Sequence, residues 1–156
     1  MVGKLDQISK SVDFRKMQLA EYDIIMNRMK LLAPPDRIIL ELHLSHNASF
    51  SQLGILIGIT PANISRKIRK MVKRLLSDDY MCFLRNRNQF TDNQLLIAYD
   101  HFLLGQGRRT IALKRKISVS TVYRQLCYLD EWLIKHKARN EHKNLNEKSA
   151  RFAGCC

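Results

Sequence analysis

The sequence predicts an all-α protein made of two tandem tri-helical helix-turn-helix units behind an N-terminal helix. Three observations predict it. Apolar residues recur with a period near 3.6 along most of the 156 residues, and Val, Thr and Tyr show no strand-like alternation. The three prolines and Gly58, Gly105 and Gly107 fall between the periodic segments rather than inside them. The chain also aligns with itself without a gap at the offset that separates Ile38 from Leu96, 58 residues.

The first periodic segment runs from Asp13 to Leu32. Met17, Ala20, Ile24 and Leu31 form one stripe, and Tyr22, Ile25, Met29 and Leu32 a second beside it. A face this broad needs a large partner surface, either the rest of the domain or a second subunit. Pro34-Pro35 ends the segment, and Asp36 opens a helix to Ser45 with a carboxylate at the positive end of its dipole. His46 to Ser49 is a turn, Ser51 to Ile57 a short helix and Gly58-Ile59-Thr60 a three-residue turn. Thr60 is an N-cap and Pro61 a first-turn residue for a helix to Leu76. Residues 78–91 read as a linker pinned by Tyr80, Phe83, Leu84 and Phe90. Thr91 or Asp92 caps a helix to Leu104, and Gly105-Gln106-Gly107 breaks it. Short and long helices follow over Arg108 to Lys116 and Thr121 to Lys137. The resulting organisation is an N-terminal helix (1–33), a first unit (34–77), the linker (78–91), a second unit (92–138) and a basic flexible tail (139–156).

Under the repeat, Ile39 falls on Ile97, His43 on His101, Leu53-Gly54 on Ile111-Ala112, and Ile59-Thr60 on Ile117-Ser118. Ile64, Arg66, Ile68 and Leu75 fall on Val122, Arg124, Leu126 and Leu133. Each copy meets the demands of a helix-turn-helix. Two helices that cross steeply over a short turn need a small residue at their contact, and Gly54 and Ala112 supply it. The second helix needs a cap, a polar first turn and apolar residues behind it.

Charge points to the partner. The chain carries a formal net charge of +13 and a sequence pI near 9.9, which favours a polyanion. From Pro61 to Leu76 there are six basic residues and no acidic one, threaded by Ile64, Ile68, Met71 and Leu75 at helical spacing. Such a helix holds its unit with one face and meets phosphates with the rest. The candidate base readers of the first copy are Ala62, Asn63, Ser65, Arg66 and Arg69, the arginines suited to guanine and Asn63 to adenine. Lys67, Lys70, Lys73 and Arg74 are candidates for phosphate, with Ser51, Gln52 and Thr60 as neutral donors. In the second copy Ser120, Thr121, Tyr123 and Arg124 are the readers, and Arg108, Arg109, Lys114 and Arg115 the phosphate contacts. A scaffold or dimer face that keeps the repeat's pattern is the competing reading of that copy. Tyr128, Trp132 and Leu133 read as core or interface.

Other chemistry is thinly represented. His43 and His46 are too few ligands for zinc, and Cys82, Cys127, Cys155 and Cys156 lack paired zinc spacing, so no metal and no cofactor is expected. No phosphate loop, nucleophile elbow or metalloprotease motif appears, and Asp78-Asp79 reads as a solvated pair rather than a nuclease site. An enzyme is not expected. No run approaches about 18 apolar residues and no secretory signal is visible, so neither a spanning helix nor secretion is expected. A membrane partner is not expected either, because the basic helices lack Trp and Phe on their apolar faces; the expected location, cytoplasmic and on the nucleoid, goes with DNA binding.

The stretch LLAPPDRIILELHLSHNASFSQLGILIGITPANISRKIRKMVKRLL, Leu31 to Leu76, resembles region four of sigma factors. The shared features are the leucine-proline lead, the acidic helix start, the short loop and an LGIS-like turn. LuxR-type response regulators share much of the pattern. Gly54 departs from it, standing where those families have alanine, and Pro61-Ala62 is less charged than usual. No sigma region two is visible, so a complete sigma factor is not expected. Gln94 to Leu133 resembles fimbrial operon regulators, but Arg115 replaces the inward Ile57 and Lys116 replaces Gly58; such an arginine is expected to snorkel to water. The reading is a sequence-specific regulator of transcription that binds double-stranded DNA in the major groove, bacterial, plasmid-borne or from a phage, with a homodimer as a further expectation. The resemblance also implies an alternative, a sigma-like module that binds RNA polymerase. A DNA-processing accessory subunit of a phage or plasmid is the second alternative.

Overall fold

The computed structural model describes residues 19–153, with side-chain surroundings given as far as Leu145. The N-terminal part of the first predicted helix, residues 13–18, and Cys155 and Cys156 lie outside the described residues. Among those described there is no strand, and no helix is long and apolar enough to cross a membrane. The described residues divide into two compact units: residues 19–78 with Leu103–Gly105, and residues 79–102 with 106–153.

The first unit contains α1 (Leu19–Arg28), a 3-10 turn (Met29–Leu31), α2 (Pro34–His46), α3 (Phe50–Ile57) and α4 (Pro61–Leu76). Local chemistry sets each boundary. Two prolines open α2, and Asn47 in the left-handed region closes it. Ser49 and Gln52 form a reciprocal capping box on α3, Gly58 closes that helix at φ 77°, and Thr60 caps α4. Ile25, Leu40, Leu53, Ile64, Ile68, Met71 and Leu75 are fully or almost fully buried, each such side chain contributing about 1.5–3 kcal/mol by leaving water. Arg28 fastens the end of α4: its Nη1 donates to Leu75 O at 2.8 Å and to Ser77 O at 3.1 Å.

The second unit contains α5 (Asp79–Arg85), a 3-10 turn (Arg87–Gln89), α6 (Asp92–Ala98), a π-helical turn (Tyr99–Leu103) of which the last residue, Leu103, groups with the first unit, α7 (Arg108–Arg115) and α8 (Val119–Ala153). Thr91 and Gln94 make a capping box on α6. Ile111, Val122, Leu126, Leu129 and Leu133 form the core with Phe83, and Phe90, Phe102 and Trp132 pack around that ring at centroid distances of 5.1–5.6 Å.

Four hydrogen bonds of the first unit recur in the second at the 58-residue offset. His43 Nδ1 bonds Ala48 O at 2.8 Å, and His101 Nδ1 bonds Gln106 O at 3.2 Å. Ala48 N donates to Leu42 O, and Gln106 N to Asp100 O. Ile59 N donates to Gly54 O at 3.1 Å and Ile117 N to Ala112 O at 3.1 Å. Asn63 N donates to Thr60 Oγ1, and Thr121 N to Ser118 Oγ. Left-handed residues also match: Asn47 with Gly105, and Gly58 with Lys116.

The correspondence extends further back than the sequence repeat. The 3-10 turn Met29–Leu31 falls on Arg87–Gln89, and α1 on α5, with Ile25 and Phe83 both at 0 % exposure. The segment 78–91, read as a linker, is therefore mostly helical and belongs to the second core. Among the described residues each unit has four α-helices rather than three. The helix read as ending at Lys137 continues to Ala153, so the stretch from 139, read as a flexible tail, is helical.

Candidate nucleic-acid interface

α4 separates its residues by face. Ile64, Ile68, Met71 and Leu75 are buried, while Asn63, Arg66, Lys70 and Lys73 are exposed. The i, i+4, i+7 and i+11 spacing of the apolar set puts it along one side, leaving the cations to the others. Thr60 and Pro61 fix the start of the helix, so Ala62 and Asn63 lie in its first turn.

The cations differ in what holds them. Arg66 Nη1 donates to Asn63 Oδ1 at 3.1 Å, and Lys67 pairs with Asp36 at 2.6 Å. Arg69 Nη2 donates to Ser65 Oγ at 2.9 Å. Arg74 Nε donates to Leu103 O at 3.0 Å; burial lowers the pKa of this guanidinium, and the charge of Asp36 opposes that shift. Asn63, Arg66, Lys67, Lys70 and Arg74 line one side of an open cavity of about 370 Å³, with Asp36 among them. Four cations against one carboxylate leave the recess positive. Ser65 is not part of this face: it is 4 % exposed and serves as the acceptor for Arg69. Ser51, Gln52 and Thr60 are exposed, but Gln52 and Thr60 are already occupied in the two caps.

The second unit is organised differently on the same frame. Ser120 and Arg124 are exposed. Thr121 is half-buried and its hydroxyl shares a hydrogen bond with Ser118 Oγ at 2.8 Å. The Arg108 guanidinium lies over Tyr123, 5.3 Å from the ring centroid, and a hydrogen bond with Cys127 raises the pKa of that phenol. Arg109 is exposed, but Lys114 Nζ and Arg115 Nε donate to the two carboxylate oxygens of Asp100 at 2.6 and 2.7 Å. Arg115 thus does not snorkel to water; it meets a carboxylate that is 0 % exposed. Position for position, Arg66, Lys67, Arg69, Lys70, Lys73 and Arg74 of α4 correspond to Arg124, Gln125, Cys127, Tyr128, Glu131 and Trp132 of α8. Six cations face one cation and one carboxylate. Gln125 accepts from Gln94 at 3.0 Å, and Trp132 packs on the core with its Nε1 donating to Gln89. Tyr128 stands at the edge of the same aromatic group.

No family model matches this chain, and neither does any curated protein or any solved structure. What it can bind is read from its own surfaces. Neither His43 nor His101 faces a ligand set, since each is tied through Nδ1 to a turn carbonyl, and among the described residues no three His, Cys, Asp or Glu side chains gather as metal ligands do.

Sequence reasoning missed Asp100, which controls two of the nominated phosphate contacts. A signal existed. Asp100 falls on Leu42 in the repeat, as Arg115 falls on Ile57. Two apolar positions replaced by opposite charges mark an internal pair.

Proposed function

We propose that the chain is a sequence-specific double-stranded DNA-binding protein that acts in transcription regulation, with α3, its turn and α4 used as a helix-turn-helix whose α4 enters the major groove. The observation that carries the reading is the one-sided charge of α4: five apolar residues buried against the unit and six cations on the remaining faces. Arg66 and Arg69 supply guanine-reading donors, while Lys70 and Lys73 meet phosphates and set position. The α7–α8 pair is a second helix-turn-helix in plan, with a nearly neutral face on its second helix. The first unit is therefore the principal reader. Location on the nucleoid follows from the same reading.

Selection from random duplex DNA, with the winner's affinity titrated against salt, tests this. A defined motif, a steep salt slope and loss of selectivity in Arg66→Ala support it. Uniform affinity across sequences refutes sequence-specific regulation and favours a module that binds polymerase or a nucleoprotein assembly.

A further inference from the structure

The start of α8 borders a second open cavity, of about 610 Å³, lined by Arg109, Ala112, Leu113, Lys116, Ile117 and Val119. Carbon dominates its walls. Leu113 is 82 % exposed on α7, on the side away from the buried Ile111 and Ala112, and Val119 is 45 % exposed. The surrounding cations are unevenly committed. Lys114 and Arg115 share the one carboxylate of Asp100, and Arg108 lies over Tyr123. Arg109 and Lys116 are exposed, with no ion pair among the described residues. The result is an apolar cleft with two uncompensated cations on its rim.

Two kinds of occupant fit poorly. A small ligand is usually held with about 70–90 % of its surface covered, which an open cleft does not provide. Nucleic acid needs a row of phosphate donors, whereas this cleft offers two at its rim, its walls are carbon, and the adjoining face of α8 has Gln125, Cys127 and Tyr128 where α4 has cations. In the first unit the matching positions are Ile55, Ile59 and Pro61, but the rim positions are the neutral Ser51 and Gly58. Charge is thus added to this cleft at the two places where the other unit lacks it.

We propose that this cleft docks an acidic segment of another protein, which seats one or two large apolar side chains against Leu113 and Val119 and sets carboxylates beside Arg109 and Lys116. The inference does not rest on the DNA reading of the first unit.

The full chain, labelled with nitrogen-15, tests it by titration with a short amphipathic peptide carrying leucines at helical spacing flanked by glutamates. The same peptide with lysines in place of the glutamates and a duplex of mixed sequence serve as comparisons. The acidic peptide is expected to shift the amides of Ala112 to Val119. The lysine peptide is expected to bind about tenfold more weakly or worse, since like charges then meet at the rim. Leu113→Glu, outside the core, should abolish these shifts while leaving the rest of the amide spectrum in place, and Arg109→Glu should weaken them. The proposal is overturned if the acidic peptide fails to bind, if its shifts centre on α4, if the lysine peptide binds equally well, or if duplex DNA moves the same amides.

Discussion

Asp100 and Arg115 hold, in the second unit, the two positions that Leu42 and Ile57 hold in the first. The carboxylate is fully buried and accepts from Arg115 Nε at 2.7 Å and from Lys114 Nζ at 2.6 Å. Removing one partner of a buried pair costs far more than replacing the whole pair with carbon. Lys114 and Arg115 are partly exposed, so Asp100→Ala is expected to destabilise the protein by about 1–3 kcal/mol, from lost charge-assisted hydrogen bonds and the gap left in the core. Asp100→Leu combined with Arg115→Ile, which imports the first unit's solution, should return stability to within ~1 kcal/mol of the parent. Urea unfolding checks this, and a double variant as unstable as Asp100→Ala would refute it.

Gly54 is held by the turn that follows it. A Cβ there would stand 2.6 Å from Ile59 O, a backbone atom that also sits within the turn fixing the start of α4. Gly54→Ala should cost about 1–3 kcal/mol, the range for overpacking a closed site. Ala112 occupies the matching place and makes the same bond with Ile117 N, so Ala112→Gly should cost only about 1 kcal/mol, from helix propensity. Thermal melting of the two variants decides the matter; a Gly54→Ala protein as stable as its parent would show that the turn yields.

Gly58 and Lys116 close α3 and α7 in the same left-handed conformation, at φ 77° and 55°. Side chains disfavour this region by about 1–2 kcal/mol. Gly58→Ala should therefore lose about that amount although nothing lies within 4 Å of the added carbon. Lys116→Gly should gain up to ~1 kcal/mol, the relief being offset in part by the freedom glycine recovers on unfolding. Chemical denaturation at fixed salt measures both.

The two second helices predict opposite responses to charge removal. Lys70→Ala and Lys73→Ala should each lower the salt slope of duplex binding by about 0.9 for every phosphate that the side chain neutralises in the parent. Arg66→Ala should cost about 1–3 kcal/mol on the selected site and relax the choice of base. Glu131→Gln, at the position matching Lys73, should leave the slope unchanged. Fluorescence anisotropy over a series of salt concentrations reads all four, and an equal response from both helices would refute the assignment of the first unit as principal reader.

Where the fold was legible in the sequence, one local cause acted alone. The caps at Thr60, Ser118 and Thr91, the prolines that open α2 and α4, and the apolar stripe of α4 each declare themselves within a few residues. α5 escaped because seven residues carry too little periodicity to declare a helix, and its link to α1 is one of volume: Phe83 fills the place of Ile25. Lys114 and Arg115 were legible as charges but not as charges already spent, because Asp100 lies a turn and most of a helix away in sequence. Ser65 reads as polar and near the start of its helix; that it faces inward depends on where the unit packs, which composition does not encode.

α8 has one further consequence. As far as Leu133 it is pinned by the core, and Lys137 still reaches Asp79 at 2.6 Å. From Ala138 to Leu145 every side chain is exposed, so only backbone hydrogen bonds and helix propensity hold those turns, and a helical segment without packing is marginal in water. A single uninterrupted helix should thus contain two regimes of amide exchange, slow before the Asp79 anchor and fast after it. Between Leu19 and Leu145, a trypsin-like protease should cut first at Arg139 and Lys143, leaving the buried cluster around Phe83 intact.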